Sequence, residues 1–307
     1  MIAAMQSPDR THRAPAQPLP AGAADCHMHV FGPFERYPLA PERAYAVGEA
    51  PLEAHERMKR QVGLERTVLV QASGYGTDNR ALLAALAELG SRGRGIAVVA
   101  LNTPLRDLQK MHAAGVRGVR LNLYTFAGRH LGEHAKLVER YCLLIAPLGW
   151  HLQVFAEPDV LPAMYPAFER SSVDVVIDHM GLPDPAAGIQ QPNFQALLKL
   201  LGSGRAWVKV SGADRISRAS GSLRDAIPFM QALASAAPER LVWGSDWPNI
   251  GFHSRQQVTG DHILPHRELD AGELLDLLAE AVPDPATRRA ILVSNPGRLY
   301  HFDKQPA

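Results

Sequence analysis

Near one end of the sequence, Asp25-Cys26-His27-Met28-His29-Val30 sets two imidazoles two residues apart. Near the other end, Val242-Trp-Gly-Ser-Asp246-Trp-Pro-Asn249 delivers one carboxylate after a short apolar run. On an extended strand residues i and i+2 point to the same face, so His27 and His29 would present both rings to one place. Such a pair can hold a metal or support a developing oxyanion, and a carboxylate facing it can take a proton from water. Asp246 is therefore expected as the general base of a hydrolase. An Asp before a turn is more often a cap or turn residue, and it is the His-x-His segment at the opposite end that tips the balance toward chemistry.

For those two segments to meet, the intervening chain has to bring its ends together. Eight β-rich runs are legible, at 24–30, 66–72, 95–101, 118–123, 150–155, 174–179, 206–211 and 240–245. Helical patterns alternate with them at 52–62, 79–89, 105–114, 133–148, 160–169, 193–201 and 223–236, with two more at 272–282 and 284–293. Thr103-Pro104 reads as an N-cap followed by a first-turn proline, and Gly63, Gly90, Gly115 and Gly149 read as helix stops. Parallel neighbours need a crossover helix, so eight strands alternating with helices predict an α/β fold, a (β/α)8 TIM barrel. An open doubly wound sheet is the rival, but no Gly-x-Gly-x-x-Gly follows any strand. Residues 1–22, with four prolines and no apolar segment, are expected to form a disordered tail, and 23–307 a single catalytic domain.

Barrel chemistry sits at the C-terminal strand ends. There the sequence offers His27 and His29, then Gln71, Ser73 and Tyr75, then Arg120 and Asn122, Asp178 and His179, Lys209, Ser211 and Arg215, and finally Asp246. Each has a plain alternative: Arg120 and Arg215 could pair with surface carboxylates, and Asp178 could cap a loop. His151 stands at the wrong end of its strand and reads as structural. Cys26 is expected to point away from the His27/His29 face by strand alternation, and no Gly-x-Ser-x-Gly elbow supplies another nucleophile. Residues 249–269 lack periodicity and are expected to form a rim or lid, with His253, His262 and His266 facing solvent.

If a metal is present, its ligands would be His27, His29 and Asp246, with His179 nearby. Two features argue against an obligatory one. Arg120 stands on the fourth strand where a bridging ligand would be wanted, and a guanidinium repels a dication at close range; the fifth strand carries no His where a ligand would sit. The expectation is therefore no cofactor, with zinc or manganese as the alternative.

Several blocks, taken in order, resemble the 2-pyrone-4,6-dicarboxylate hydrolase branch of the amidohydrolase superfamily. They are Ala24-Asp-Cys-His-Met-His-Val-Phe-Gly-Pro33, Val70-Gln-Ala-Ser-Gly-Tyr-Gly-Thr-Asp-Asn-Arg80, Gly115-Val-Arg-Gly-Val-Arg-Leu-Asn122, Val176-Ile-Asp-His-Met-Gly181 and Trp243-Gly-Ser-Asp-Trp-Pro248. The resemblance implies a distorted barrel that hydrolyses a lactone ester without bound metal. It implies that Asp246 activates water, that His27, His29 and His179 polarise the lactone carbonyl, and that Tyr45, Ser73, Arg120 and Arg215 contact the substrate and its carboxylates. Tyr75 and Asn249 join them as candidate substrate contacts. The chain departs from that pattern at Phe126, Phe155 and Asn249, where the family has Arg, Tyr and His; Arg129 could stand in for the missing cation. Related members include sugar-acid lactonases, a sulfonated muconolactone hydrolase and a galactarolactone isomerase.

Composition sets the remaining bounds. A formal charge of +1, with 46% hydrophobic and 21% charged residues, gives no field for nucleic acid or an anionic membrane. Two cysteines cannot build a disulfide framework, and no apolar run approaches the ~18 residues of a membrane span. The expectation is a cytoplasmic lactonase acting on a small anionic lactone. The alternatives are a metal-dependent decarboxylase and a lactone isomerase, and the sequence carries no signal for oligomeric state.

Overall fold

The computed structural model describes residues 8–124, 133–219, 221–251 and 262–302. Eight parallel strands run in sequential order: β1 (Ala24–Met28), β2 (Arg66–Val70), β3 (Gly93–Ala97), β4 (Val116–Asn122), β5 (His151–Phe155), β6 (Val175–Ile177), β7 (Ala206–Val210) and β8 (Leu241–Trp243). The last strand returns to the first. Asp246 N–H donates to His27 O at 2.8 Å, His29 N–H donates to Trp247 O at 2.8 Å, and Met28 bridges Trp247. The two chemistry-bearing segments of the sequence are thereby neighbours, and the sheet closes as the expected (β/α)8 barrel.

Crossovers cover the outside. Helix Leu52–Val62 buries Leu52, Ala54, His55, Met58 and Val62 against the wall and stops where Gly63, at φ 86°, returns its N–H to Lys59 O. That left-handed geometry suits glycine. Helix Leu105–Ala113 differs from expectation, because Pro104 is its N-cap and Thr103 makes no capping bond. Inside, Ala24, Cys26, Val68, Val70, Ile96, Val176, Trp207 and Val242 fill the lower barrel, and Leu299 and Tyr300 close it from below.

Cys26 is in that interior layer, not outside it. A register shift between Asp25 and Met28 marks a bulge in β1, and a bulge inverts the alternation that follows it. Burial pushes the Cys26 thiol well above its ordinary value, so it is inert by environment. Residues 8–22 correct a second expectation. Arg10 donates to Arg267 O at 2.7 Å, and buried His12 accepts from Ala271 N–H at the head of helix Ala271–Ala281. The proline-rich stretch is thus an ordered strap rather than a tail. Among the described residues no helix is long and apolar enough to cross a membrane.

His151 opens β5 at the barrel floor, its ring set edge-on to Tyr300. Burial, then the Lys209 charge, hold its imidazole down to about 3, against ~6.5 in an unfolded chain. The unfolded state takes up the proton first, so the stability this neutral ring contributes is present above about pH 6.5 and lost progressively toward pH 3. Stability lost between pH 7 and 4.5 should be smaller in His151→Asn than in the wild type by about 2–3 kcal/mol. Denaturant unfolding at the two pH values checks it, and equal losses would place the acid sensitivity elsewhere.

Candidate active site

The floor of the mouth is a buried polar network built on alternate residues of β4 to β7. Lys209 Nζ donates to Cys26 O at 2.8 Å and Gln153 Oε1 at 2.7 Å. Gln153 Nε2 in turn donates to Asp178 Oδ2 at 3.0 Å, which Arg120 Nε also approaches at 3.4 Å. Asp178 Oδ1 faces His27 Nδ1 at 3.4 Å and Lys209 Nζ at 3.8 Å. Burial alone would raise the Asp178 carboxyl, but His27, Lys209 and Arg120 hold it well below the usual carboxylate range.

Above this floor sits Asp246, 1% exposed, in the left-handed region at φ 59°. His179 shares that backbone region at φ 51°. Non-glycine residues held there carry strain of order ~1–3 kcal/mol, which clusters where side chains are aimed for function. Asp246 Oδ1 lies 3.7 Å from His27 Nε2, 3.8 Å from His29 Nε2 and 3.8 Å from His179 Nε2. Its other oxygen accepts from Arg215 Nε at 2.5 Å. Burial would push this carboxyl up, and the Arg215 guanidinium overrides it, so that Asp246 is ionised far below its ordinary range.

A second clamp lies outside the barrel wall. Asp25 Oδ1 accepts His27 N–H at 3.1 Å and Ser245 N–H at 2.9 Å, while Oδ2 accepts Ser245 Oγ–H at 2.5 Å and faces His55 Nε2 at 3.0 Å. One carboxylate thus grips the backbone beside both His27 and Asp246. Between those strands there is room only for hydrogen at position 244, since a Cβ there would lie 2.6 Å from His27 Cβ and 2.7 Å from its backbone nitrogen. Gly244→Ala is expected to cost about 1–3 kcal/mol through overpacking and to cut turnover by displacing the His27 ring. Thermal unfolding and steady-state kinetics check it; wild-type values for both would mean β1 yields freely.

The cleft over Asp246 is narrow, about 30 Å3, and is lined by His29, Tyr45, Ser73, Arg120, Phe155, His179 and Arg215, together with Asn122, Ile250 and Gly251. Tyr45 Oη and Ser73 Oγ are 3.1 Å apart. A more open recess lined by Tyr124, Glu157, Leu182, Asp184 and Arg218 continues outward from Phe155 and Arg215. Two expected substrate contacts are placed elsewhere. Tyr75 Oη accepts Gly32 N–H at 2.7 Å and its ring stacks on Phe31, while Asn249 Nδ2 turns back to Ser245 O at 3.0 Å. Both sit in polar turns next to the mouth, and each is consumed by holding its turn. His262 is exposed as expected, but His266 is buried, 5% exposed, beneath the rim. Phe126, Arg129 and His253 lie outside the described residues.

Proton positions follow from partners that can act in one sense only. Val70 O can only accept, so His29 Nδ1, 2.8 Å away, carries the proton and Nε2 presents a lone pair. His27 Nδ1 lies between Asp178 Oδ1 at 3.4 Å, which can only accept, and Lys209 Nζ at 3.5 Å, which can only donate, so its partners do not fix its tautomer. Burial, and then the Arg120 charge, hold His29 at about 4, and burial holds His179 at about 3, so the rings are neutral at pH 7. The His29 Nε2 lone pair therefore faces an anionic oxygen, and His27 Nε2 and Asp246 Oδ1 have no hydrogen-bond partner among the described residues. The donor atoms of His27, His29 and Asp246 lie within 4.8 Å of one another. Neutral imidazoles with their far nitrogens anchored, plus one carboxylate, are a donor set that fits a divalent cation. The guanidinium invoked against a metal does not block it, because Arg120 Nε is turned to Asp178.

Sequence reasoning placed His27, His29, His179, Arg120, Arg215, Tyr45, Ser73 and Asp246 in one cleft. It named Ser211 at the mouth and passed over Gln153, Asp25, Ser245 and His55. Ser211 Oγ lies 2.9 Å from His179 Nδ1. The period-2 face of β5 was the available signal for Gln153; nothing local announces the pairing of Asp25 with Ser245, which are 220 positions apart.

Comparison with known proteins shows the chain's family and relatives. The model of the Amidohydrolase family matches residues 24–302. A 4-sulfomuconolactone hydrolase of Rhizobium radiobacter is 37% identical over 288 residues, 92% of this chain and 91% of that protein. A 2-pyrone-4,6-dicarboxylate hydrolase of Comamonas testosteroni is 35% identical over 295 residues, 92% of this chain and 91% of its own. A crystal structure from Acinetobacter baumannii with citric acid bound superposes with a TM-score of 0.76 at 31% identity, covering 91% of this chain and 99% of that one.

Proposed function

The chain belongs to the amidohydrolase family, and from that premise we propose that it is a lactonase, hydrolysing the ring ester of a small lactone that carries an acidic group. The observation that carries this reading is the Asp246 carboxylate, one oxygen free of donors and facing three imidazoles, the other on Arg215, at the base of a cleft that also holds Arg120. Two relatives are named for lactones bearing carboxylate or sulfonate groups, and a third was solved with a tricarboxylic acid.

In the proposed reaction the substrate anion lies against Arg120 and the outer nitrogens of Arg215, where planar guanidinium donors suit it. Its approach draws Arg215 charge away from Asp246. That matters because a carboxylate held far below its ordinary range is a weak base, and general bases act best with pKa values nearer the working pH. Asp246 takes a proton from water as the hydroxide oxygen bonds to the ring carbonyl carbon. The ring C–O bond then breaks and Asp246 returns the proton to the leaving oxygen, giving a hydroxy acid. Ser211 can donate to His179 Nδ1, leaving His179 Nε2–H to donate to the carbonyl oxygen, a contribution of ~3–4 kcal/mol for a well-placed donor. His27, His29 and Asp246 would hold a divalent cation, which would supply Lewis acidity to that carbonyl.

The test is a panel of lactones with carboxylate, sulfonate or no acidic group, read by acid release with and without chelator, in 18O-water. Ring opening with one labelled oxygen supports the proposal. Turnover without label would make the protein an isomerase, CO2 release a decarboxylase, and loss of ring opening on chelation, restored by zinc or manganese, would assign the cation.

A further inference from the structure

The cleft over Asp246, at about 30 Å3, has room for about two or three waters. A lactone ring with an acidic group is larger than that. Phe155 and Arg215 line both the cleft and the recess beyond it, and the recess, at about 370 Å3, has the size of a small-molecule site. A substrate that reaches Asp246 therefore lies partly in the recess.

The walls of the recess say which part. The Phe155 ring meets His179 edge-on at 5.1 Å and carries the Arg120 guanidinium at 5.4 Å, and Tyr124 stacks on it with ring centroids 4.7 Å apart. Leu182 and Ile216 extend this apolar wall. Tyr124 and Leu182 are each only half-buried, so part of the wall stays open to a ligand. Besides Arg215, the charged groups of the recess are Glu157, Asp184 and Arg218, and exposed Arg218 and Asp184 face each other at 3.9 Å. Two carboxylates against one guanidinium give a second anionic group no net attraction there. We propose that the recess is a specificity subsite: the lactone presents its acidic group inward, to Arg120 and Arg215, and carries an uncharged apolar substituent of aryl size outward, against Tyr124, Phe155 and Leu182. An aryl ring on this wall extends the stack that Tyr124 and Phe155 already form. The inference deepens the proposed lactonase reading and rests on it for the identity of the substrate, not for the location of the subsite.

Calorimetric titration of the full-length protein with butanoate, its terminal phenyl derivative and glutarate tests this, because the three share one carboxylate and differ in what extends from it. The phenyl derivative is expected to bind about 10-fold or more tightly than butanoate, and more tightly than glutarate. Tyr124→Ala removes part of the wall and Leu182→Glu puts a charge in it, so each is expected to abolish most of that gain. Circular dichroism shows which variants are folded, and either one alone decides. No gain from the phenyl group overturns the proposal, as does glutarate binding most tightly or a gain that survives in a folded variant. A phenyl preference in a protein that opens no lactone would sink the proposed function and leave the subsite standing; lactone opening without that preference would do the reverse.

Discussion

Asp246→Asn is expected to lower kcat by roughly 10^2–10^4-fold, the range general acid–base catalysis contributes, with KM unchanged or reduced. The amide keeps the shape of the carboxylate and an oxygen that can still accept from Arg215 Nε, which lies at 2.5 Å in the wild type. It cannot take a proton from water. It also removes the negative charge that occupies Arg215, so the guanidinium is freer to meet a substrate anion, which is why KM should not rise. Steady-state kinetics on whichever lactone the panel identifies, with a binding measurement on the unreacted complex, separates the two effects. Turnover within a few-fold of wild type would remove Asp246 from the proton transfers. A large rise in KM at constant kcat would make it a substrate contact instead.

The fold was largely legible because two periodicities carry it. The helix read at 52–62 from its apolar spacing and Gly63 matches Leu52–Val62 to the residue, and all eight strand runs contain the observed strands or their ends. What failed was set by partners distant in sequence. Strand alternation misdirected Cys26 because the bulge after Asp25 arises from pairing with β2 and the closing strand, which no local pattern records. The proline-rich strap carries no secondary structure to predict, yet His12 and Arg10 are held by groups near residue 270. At the site, residue types at strand ends picked out side chains that the structure brings together, because a barrel gathers those ends in one mouth. The pattern could not tell Tyr45, which lines the cleft, from Tyr75, which holds a turn. Nor could it weigh the metal, because that turns on which nitrogen of each imidazole is already engaged, and Val70 O settles His29 through the backbone rather than through any side chain.

Arg215→Met should separate binding from basicity. Breaking a buried charge pair leaves the partner uncompensated, at a cost of about 3–5 kcal/mol, and an isolated buried carboxylate answers by raising its pKa. In the wild type Arg215 keeps Asp246 ionised far below its ordinary range. Asp246 is therefore the charged form at every pH an assay reaches, and it contributes no acid limb to the pH–rate profile. Removing the guanidinium raises the carboxyl, and activity that needs the ionised base is then lost as pH falls through the new value. The variant is expected to show kcat/KM reduced by at least ~10^2-fold from the lost charge-assisted contact, together with an acid limb absent from the wild type. Melting temperature should fall as pH rises over the same window, since there the folded carboxyl still holds a proton that the unfolded chain has already released. A profile parallel to wild type at lower amplitude would mean that Arg215 serves the substrate anion alone and that the three imidazoles govern the carboxylate. A shifted limb would place Arg215 on both sides of the reaction, gripping the anion and releasing the base in the same movement.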